Sequence, residues 1–159
     1  MGKRPGVRRR GRGGMQFRAA ATYKLKPAKY PSFSLEDNHL GEIIDLVHES
    51  GRDVPLAKVR FEDGSISFIP APLGTRVGQR MNFGLNSEII DGNVISIQNI
   101  PDGTIVCNVE QQFGDGGALM KSAGADATVF SHADDGVILK LASGKFKKLN
   151  PKNRAMIGT

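Results

Sequence analysis

Tryptophan is absent from the 159 residues, tyrosine occurs twice and cysteine once. A lone cysteine, Cys107, excludes an internal disulfide and offers no metal-ligand spacing, which points to a reducing compartment. No apolar run approaches the roughly 18–20 residues that a membrane span needs. The first dozen residues are basic, but no apolar stretch follows them, which argues against a secretory signal. Long stretches of 3.6-residue period are missing as well, so helices are not the expected building material. Against these absences stand 20 glycines and 8 prolines, a turn-rich composition with a hydrophobic fraction of 39%, enough for a modest core.

Acidic residues are scarce in one region only. Lys plus Arg total 22 against 16 Asp plus Glu, a net of +6. Residues 1–30 hold ten basic residues and no acidic one, a net of +10; residues 31–120 hold five basic and thirteen acidic, a net of −8; residues 121–159 hold seven basic and three acidic, a net of +4. The segment 1–36 is read as a basic arm. Arg4, Arg8, Arg9, Arg10, Arg12 and Arg18 repel one another and have little to bury, so the arm is expected to be disordered or extended when free. Interspersed glycines let the backbone approach a surface closely. Phosphate is the matching counter-charge, because each neutralised phosphate releases condensed counterions. The acidic middle would either keep its face off RNA or meet a basic neighbouring protein.

The body reads as short strands and turns. Ala57, Val59 and Phe61 alternate with Lys58, Arg60 and Glu62, the period of a half-buried strand. Asp63-Gly64 supplies a hairpin turn. Ile66 and Phe68 provide the apolar positions of the return strand, and Pro70 and Pro72 end the ladder. Ile43, Ile44, Leu46 and Val47 form the strand before this hairpin. A second set follows: Val94 to Ile97; Ile105, Cys107 and Val109; Thr128 to Phe130; Val137 to Leu141 after the turn at Asp135-Gly136; and Phe146 to Leu149. Residues 118–123 leave a single helical turn undecided. Turn signals every eight to twelve residues indicate small β-barrels or sandwiches. The body from residue 37 suits two barrels, 37–98 and 99–159, with the boundary within Gln98–Gly103.

Convergent reactive groups are not evident. His39, His48 and His132 are scattered, and His48 with Glu49 or Asp53 lacks any Ser or Cys nucleophile at matching spacing. Cys107 reads as a buried small hydrophobe. Gly114-Asp115-Gly116-Gly117 lacks the Gly-Lys-Ser/Thr ending of a nucleotide loop and reads as a tight turn compatible with close approach to an RNA backbone. Lys145, Lys147, Lys148, Lys152 and Arg154 form a second basic cluster, with Lys145 and Lys147 on one strand face. No signature of paired ring-stacking aromatics is visible, so recognition is expected to rest on shape and phosphate contacts. No enzyme activity, cofactor, metal or small-molecule substrate is expected.

Several ordered motifs carry a resemblance. Gly41 through Val47, then His48, Gly51-Arg52 and Pro55-Leu56-Ala57-Lys58, resembles the archaeal and eukaryotic form of the universal large-subunit ribosomal protein two family. Gly92-Asn93-Val94, Pro101 to Cys107, Gly114-Asp115, Lys121 to Gly124, Asn153-Arg154-Ala155 and the opening Arg9-Arg10-Gly11-Arg12-Gly13 also match. The resemblance covers nearly the whole chain. It implies an OB-fold barrel followed by an SH3-like barrel, and a cytoplasmic protein of the ribosome. It also implies binding to large-subunit ribosomal RNA near the peptidyl-transferase region, with roles in subunit association and tRNA binding. Within it, Arg52 and Lys121 fall at positions that contact RNA. Family members carry a further Gly-rich, basic extension after the second barrel. That extension reaches toward the catalytic centre of the ribosome, so a direct part in peptide-bond formation has no residue within 1–159 to rest on. The alternative reading is a free-standing RNA-binding translation or RNA-chaperone factor on the same two barrels.

Overall fold

The alternation at Ala57, Val59 and Phe61 becomes strand β2 (Leu56–Phe61), with those three side chains buried and Arg60 exposed. It pairs antiparallel with β1 (His39–Val47) on one side and β3 (Ile66–Pro70) on the other. In this computed structural model the described residues are 2, 5–7, 14–15, 24–32, 38–84 and 87–159. The turn into β3 forms where expected. Gly64 has φ 80°, and the Asp63 carboxylate accepts the Ser65 N–H at 2.8 Å.

The return strand buries a different set of side chains from the one expected. Residues directly opposed in an antiparallel pair share a face. Ile69 lies opposite buried Ala57, whereas Ile66 and Phe68 lie opposite Arg60 and Lys58. Ile69 is therefore fully buried, Phe68 half-buried and Ile66 42% exposed. Pro70, opposite Leu56, is the last residue of the ladder.

The remaining strands are β4 (Arg80–Phe83), β5 (Val94–Ser96), β6 (Ile105–Cys107), β7 (Ala127–Ala133), β8 (Gly136–Leu141), β9 (Phe146–Leu149) and β10 (Arg154–Ile157); a 3-10 turn, Ile97–Asn99, follows β5. Among the described residues they form one mainly antiparallel series of neighbours in the order β3-β2-β1-β4-β5-β10-β6-β7-β8-β9, with β4 and β5 parallel. The 118–123 stretch is not helical: Leu119 bridges to Val109, and Met120 has φ 49°. Residues 134 and 135 make the β7–β8 turn, while Gly136 belongs to β8. A Cβ on Gly136 would lie 2.7 Å from the Leu149 carbonyl oxygen, so close packing rather than turn geometry excludes a side chain there.

Two hydrophobic cores flank the central strands. The first gathers Tyr30, Ile43, Val59, Ile69, Met81 and Phe83 with others. The second gathers Ile97, Ile100, Val109, Val129, Leu139 and Leu149 with others. Strands β5, β6 and β10 contribute to both. Val94, Cys107 and Met156 enter the first core, while Ile95, Val106, Ala155 and Ile157 enter the second. Successive side chains of a strand point to opposite faces, so these three short strands between two cores carry apolar side chains on both faces.

The end of the segment assigned to the arm belongs to the body. Ala28 and Tyr30 are buried. The Lys29 N–H donates to the Phe68 carbonyl at 3.1 Å, and the Tyr30 N–H to the Gly116 carbonyl at 3.0 Å. The Tyr30 hydroxyl donates to the Asn108 carbonyl at 2.6 Å. Residues 24–32 thus run as a strap from the β3 side to the 108–117 loops, held by satisfied backbone groups and one buried ring.

Candidate nucleic-acid interface

Arg52 and Lys121, 69 positions apart in sequence, line one cleft of about 440 Å³. Arg52 follows the turn after β1, where its backbone N–H donates to the Glu49 carbonyl at 3.1 Å. Its Nε donates to Glu49 Oε2, while its terminal amino groups have no protein partner among the described residues. Glu49 is 3% exposed and also accepts the Leu25 N–H at 3.1 Å, which ties the strap to the cleft wall. The Arg52 hydrogen bond holds the Glu49 carboxyl below its ordinary pKa, against the opposing effect of burial.

Lys121 reaches the cleft from the turn after Met120. Its Nζ donates to the Ala28 carbonyl and, at 2.9 Å, to the Gly117 carbonyl. An ammonium has three donors, so one remains for a ligand. Burial lowers the Lys121 pKa, and repulsion from Arg52 and Lys29 lowers it further. A bound phosphate oxygen would relieve that repulsion and stabilise the ammonium.

The Gly114–Gly117 loop lies behind this site as a tight turn. Gly114, Gly116 and Gly117 all have φ between 82° and 96°, and the Asp115 carboxylate accepts N–H groups from Gln111, Gln112 and Gly117. The strap crosses so closely that a Cβ on Gly116 would sit 2.7 Å from Lys29 Cβ. The cleft continues into a second cavity of about 410 Å³ whose walls include Leu46, Pro55, Leu73, Cys107 and Ala125. Burial pushes the Cys107 thiol up to about 12.

The second basic cluster divides. Lys145 and Lys152 are exposed, and Lys147 is half-buried opposite Leu139. Lys148 is exposed and paired with Asp135. Arg154 is not a surface cation. It is 5% exposed, with Nε and NH2 on Glu110 Oε1 at 3.0 and 2.6 Å and NH1 on the Pro31 carbonyl at 2.8 Å. Its guanidinium also stacks 5.4 Å from the Tyr30 ring centroid. Each of its three side-chain nitrogens donates inside the protein and the group is buried, which removes it from the expected basic patch. Arg4, Arg8, Arg9, Arg10, Arg12 and Arg18 lie outside the described residues.

Histidine chemistry does not assemble at the cleft. Glu49 is engaged by Arg52 and Leu25, leaving exposed His48 without that carboxylate as an orienting partner. His132 pairs with Asp102 at 2.7 Å on another turn. No sequence signal marks Tyr30, which closes the strap over both the 108–117 loops and Arg154. It sits in a basic, apolar-poor segment, and only its tertiary contacts distinguish it.

Residues 90–159 match the family described as Ribosomal Proteins L2, C-terminal domain. The chain is 72% identical over 159 residues to the large ribosomal subunit protein uL2 of Cenarchaeum symbiosum, covering 100% of this chain and 65% of that relative. It is 71% identical over 160 residues to the protein of the same name from Nitrosopumilus maritimus, covering 66% of it. With that of Korarchaeum cryptofilum it shares 44% identity over 158 residues, 99% of this chain and 64% of the relative. The chain therefore spans about two-thirds of the length of these relatives, slightly less for each. Identity of this degree along the full chain, together with the family match over residues 90–159, places it: the chain belongs to the large ribosomal subunit protein uL2 family.

Proposed function

We propose that the chain is a structural constituent of the large ribosomal subunit. In this reading it binds large-subunit ribosomal RNA near the peptidyl-transferase region and supports subunit association and tRNA binding. The observation that carries the reading is the convergence of Arg52 and Lys121 on one cleft, each with donors left over after its protein contacts. The terminal amino groups of Arg52 and the third ammonium donor of Lys121 are left for acceptors, which a phosphate backbone supplies. The uL2 relatives named above favour ribosomal RNA as its source.

The role is structural, not catalytic, and the working compartment is the cytoplasmic ribosome, with neighbouring ribosomal proteins as further partners. Among the described residues no helix is long and apolar enough to cross a membrane. In this reading an OB-fold barrel spans 37–98 and an SH3-like barrel 99–159 after a basic arm over 1–36, with Tyr30 of that arm packed into the first core and β5, β6 and β10 supplying side chains to both cores. RNA contacts fall to the arm arginines, to Arg52 and Lys121, and to Lys145, Lys147, Lys148 and Lys152.

Sedimentation of the tagged chain through sucrose gradients at low and high salt tests the reading. About one copy per large subunit, retained at high salt, is the expected result. Release into the soluble fraction at modest salt would instead indicate a peripheral factor.

A further inference from the structure

Phe130 and Phe146 are 16 positions apart, and both lie more than half exposed, at 56% and 57%. Their ring centroids are 4.9 Å apart at an interplanar angle of 63°. Phe130 sits on β7 at a register irregularity between Val129 and Ser131, and Phe146 opens β9. These strands flank β8, so the rings meet above its outer face. Phe146 lies directly opposite Lys140, and Lys148 directly opposite Ile138.

We propose that this face is a stacking platform for an unpaired nucleotide of single-stranded RNA, formed by Phe130 and Phe146 and rimmed by Lys140 and Lys148. It rests on the RNA-binding reading above and adds to it a mode of contact that phosphate recognition alone does not supply. An edge-to-face pair uses one face of one ring, so ring surface remains for a base. Every base has a π-face, and a sheet that carries exposed aromatics beside cations is a recurring way to hold unstacked nucleotides. Lys140 is exposed and has no acidic partner among the described residues, which leaves it for a phosphate beside the stacked base. Asp135 in the β7–β8 turn is already paired with Lys148. A protein partner is the less suitable occupant: the rings have only half-buried Ile138 as an apolar neighbour on β8, and cations surround them.

The test uses the full chain and an oligoadenylate carrying 2-aminopurine, whose emission falls when it stacks. The chain has no tryptophan to confuse the signal. The parent chain should quench the probe. Phe130→Leu and Phe146→Leu, which keep apolar area but remove the ring, should each abolish most of the quenching and weaken binding roughly tenfold, with the salt dependence unchanged. Lys140→Gln should keep the quenching and reduce the log–log salt slope by about 0.7. Absence of quenching by the parent chain, or undiminished quenching in the double leucine variant, would overturn the platform. So would equal weakening of an RNA duplex by the leucine variants. Salt-dependent binding of the parent chain to large-subunit RNA, measured alongside, separates the outcomes: if it persists, only the platform falls, and if it is absent, the ribosomal RNA reading falls with it.

Discussion

Arg154 and Glu110, 44 residues apart in sequence, form a buried ion pair, with Arg154 NH2 2.6 Å from Glu110 Oε1. The pair is built into the backbone as well. The Arg154 N–H donates to Glu110 Oε2 at 2.9 Å, and the Gly116 N–H to Oε1 at 3.1 Å. Through NH1 and the Pro31 carbonyl, the same guanidinium holds the end of the strap. One carboxylate thus joins β10, the 110–117 loop and residues 24–32.

Removing one partner leaves the other charged and buried. Arg154→Ala and Glu110→Ala should each cost about 3–5 kcal/mol, measured by denaturant unfolding, whereas Lys152→Ala on the exposed turn should stay within about 0.5 kcal/mol. A double variant with apolar residues of similar volume should recover much of the loss, because the desolvation of both charges disappears together.

The shared strands make the two cores one folding unit. Ile95→Ala empties the second core and Met156→Ala the first, each at about 2–5 kcal/mol. Because β5 and β10 contribute to both cores, either variant should shift a single unfolding transition. Two separated transitions by calorimetry would contradict this coupling.

At the cleft, Lys121→Gln should weaken binding to duplex regions of large-subunit RNA and reduce the log–log salt slope by about 0.9. Arg52 has a second task, because its loss strands Glu49. Arg52→Lys is therefore the cleaner variant. It should keep the fold and lower RNA affinity through the loss of the planar fork.

The Glu49 pKa is lowered in the folded protein from its ordinary value of 4.5. Its stabilising contribution is therefore complete above that value and is lost as the pH falls through the folded pKa. The Leu25 amide, held by Glu49 Oε1, should stay protected from hydrogen exchange at pH 4.5 and above and lose that protection only as the pH falls through the lowered folded pKa, after correction for intrinsic rates. Glu49→Gln should remove this pH dependence.

Cys107 should resist thiol reagents at pH 8 in the native state, since burial raises its pKa to about 12 and only the thiolate reacts. Rapid modification under denaturant and slow modification without it would follow the opening of the first core.

Much of the strand pattern was legible. Alternation at Ala57, Val59 and Phe61 marked β2, and Asp63-Gly64 marked the turn after it, because both are local properties of a short segment. The burial of β3 was not legible, since alternation cannot say which face meets the core. The register opposite Ala57 and Lys58 decides that. At the candidate site, Arg52 and Lys121 were identified through family resemblance, and their placement on one cleft required the fold. The Phe130–Phe146 pair is not legible in the sequence, because nothing in two phenylalanines on separate strands announces that they meet across a third.

The sequence by itself determined that the chain is mainly β, turn-rich and strongly basic over its first thirty residues, because periodicity, turn residues and charge sign are written locally. The tertiary structure decided which of its cations remain free. Arg154 and Lys152 are two positions apart and carry the same charge, yet one is enclosed by Glu110, Pro31 and Tyr30 while the other faces solvent. A charge's availability depends on what the fold brings against it, and those partners come from 44 and 123 positions away.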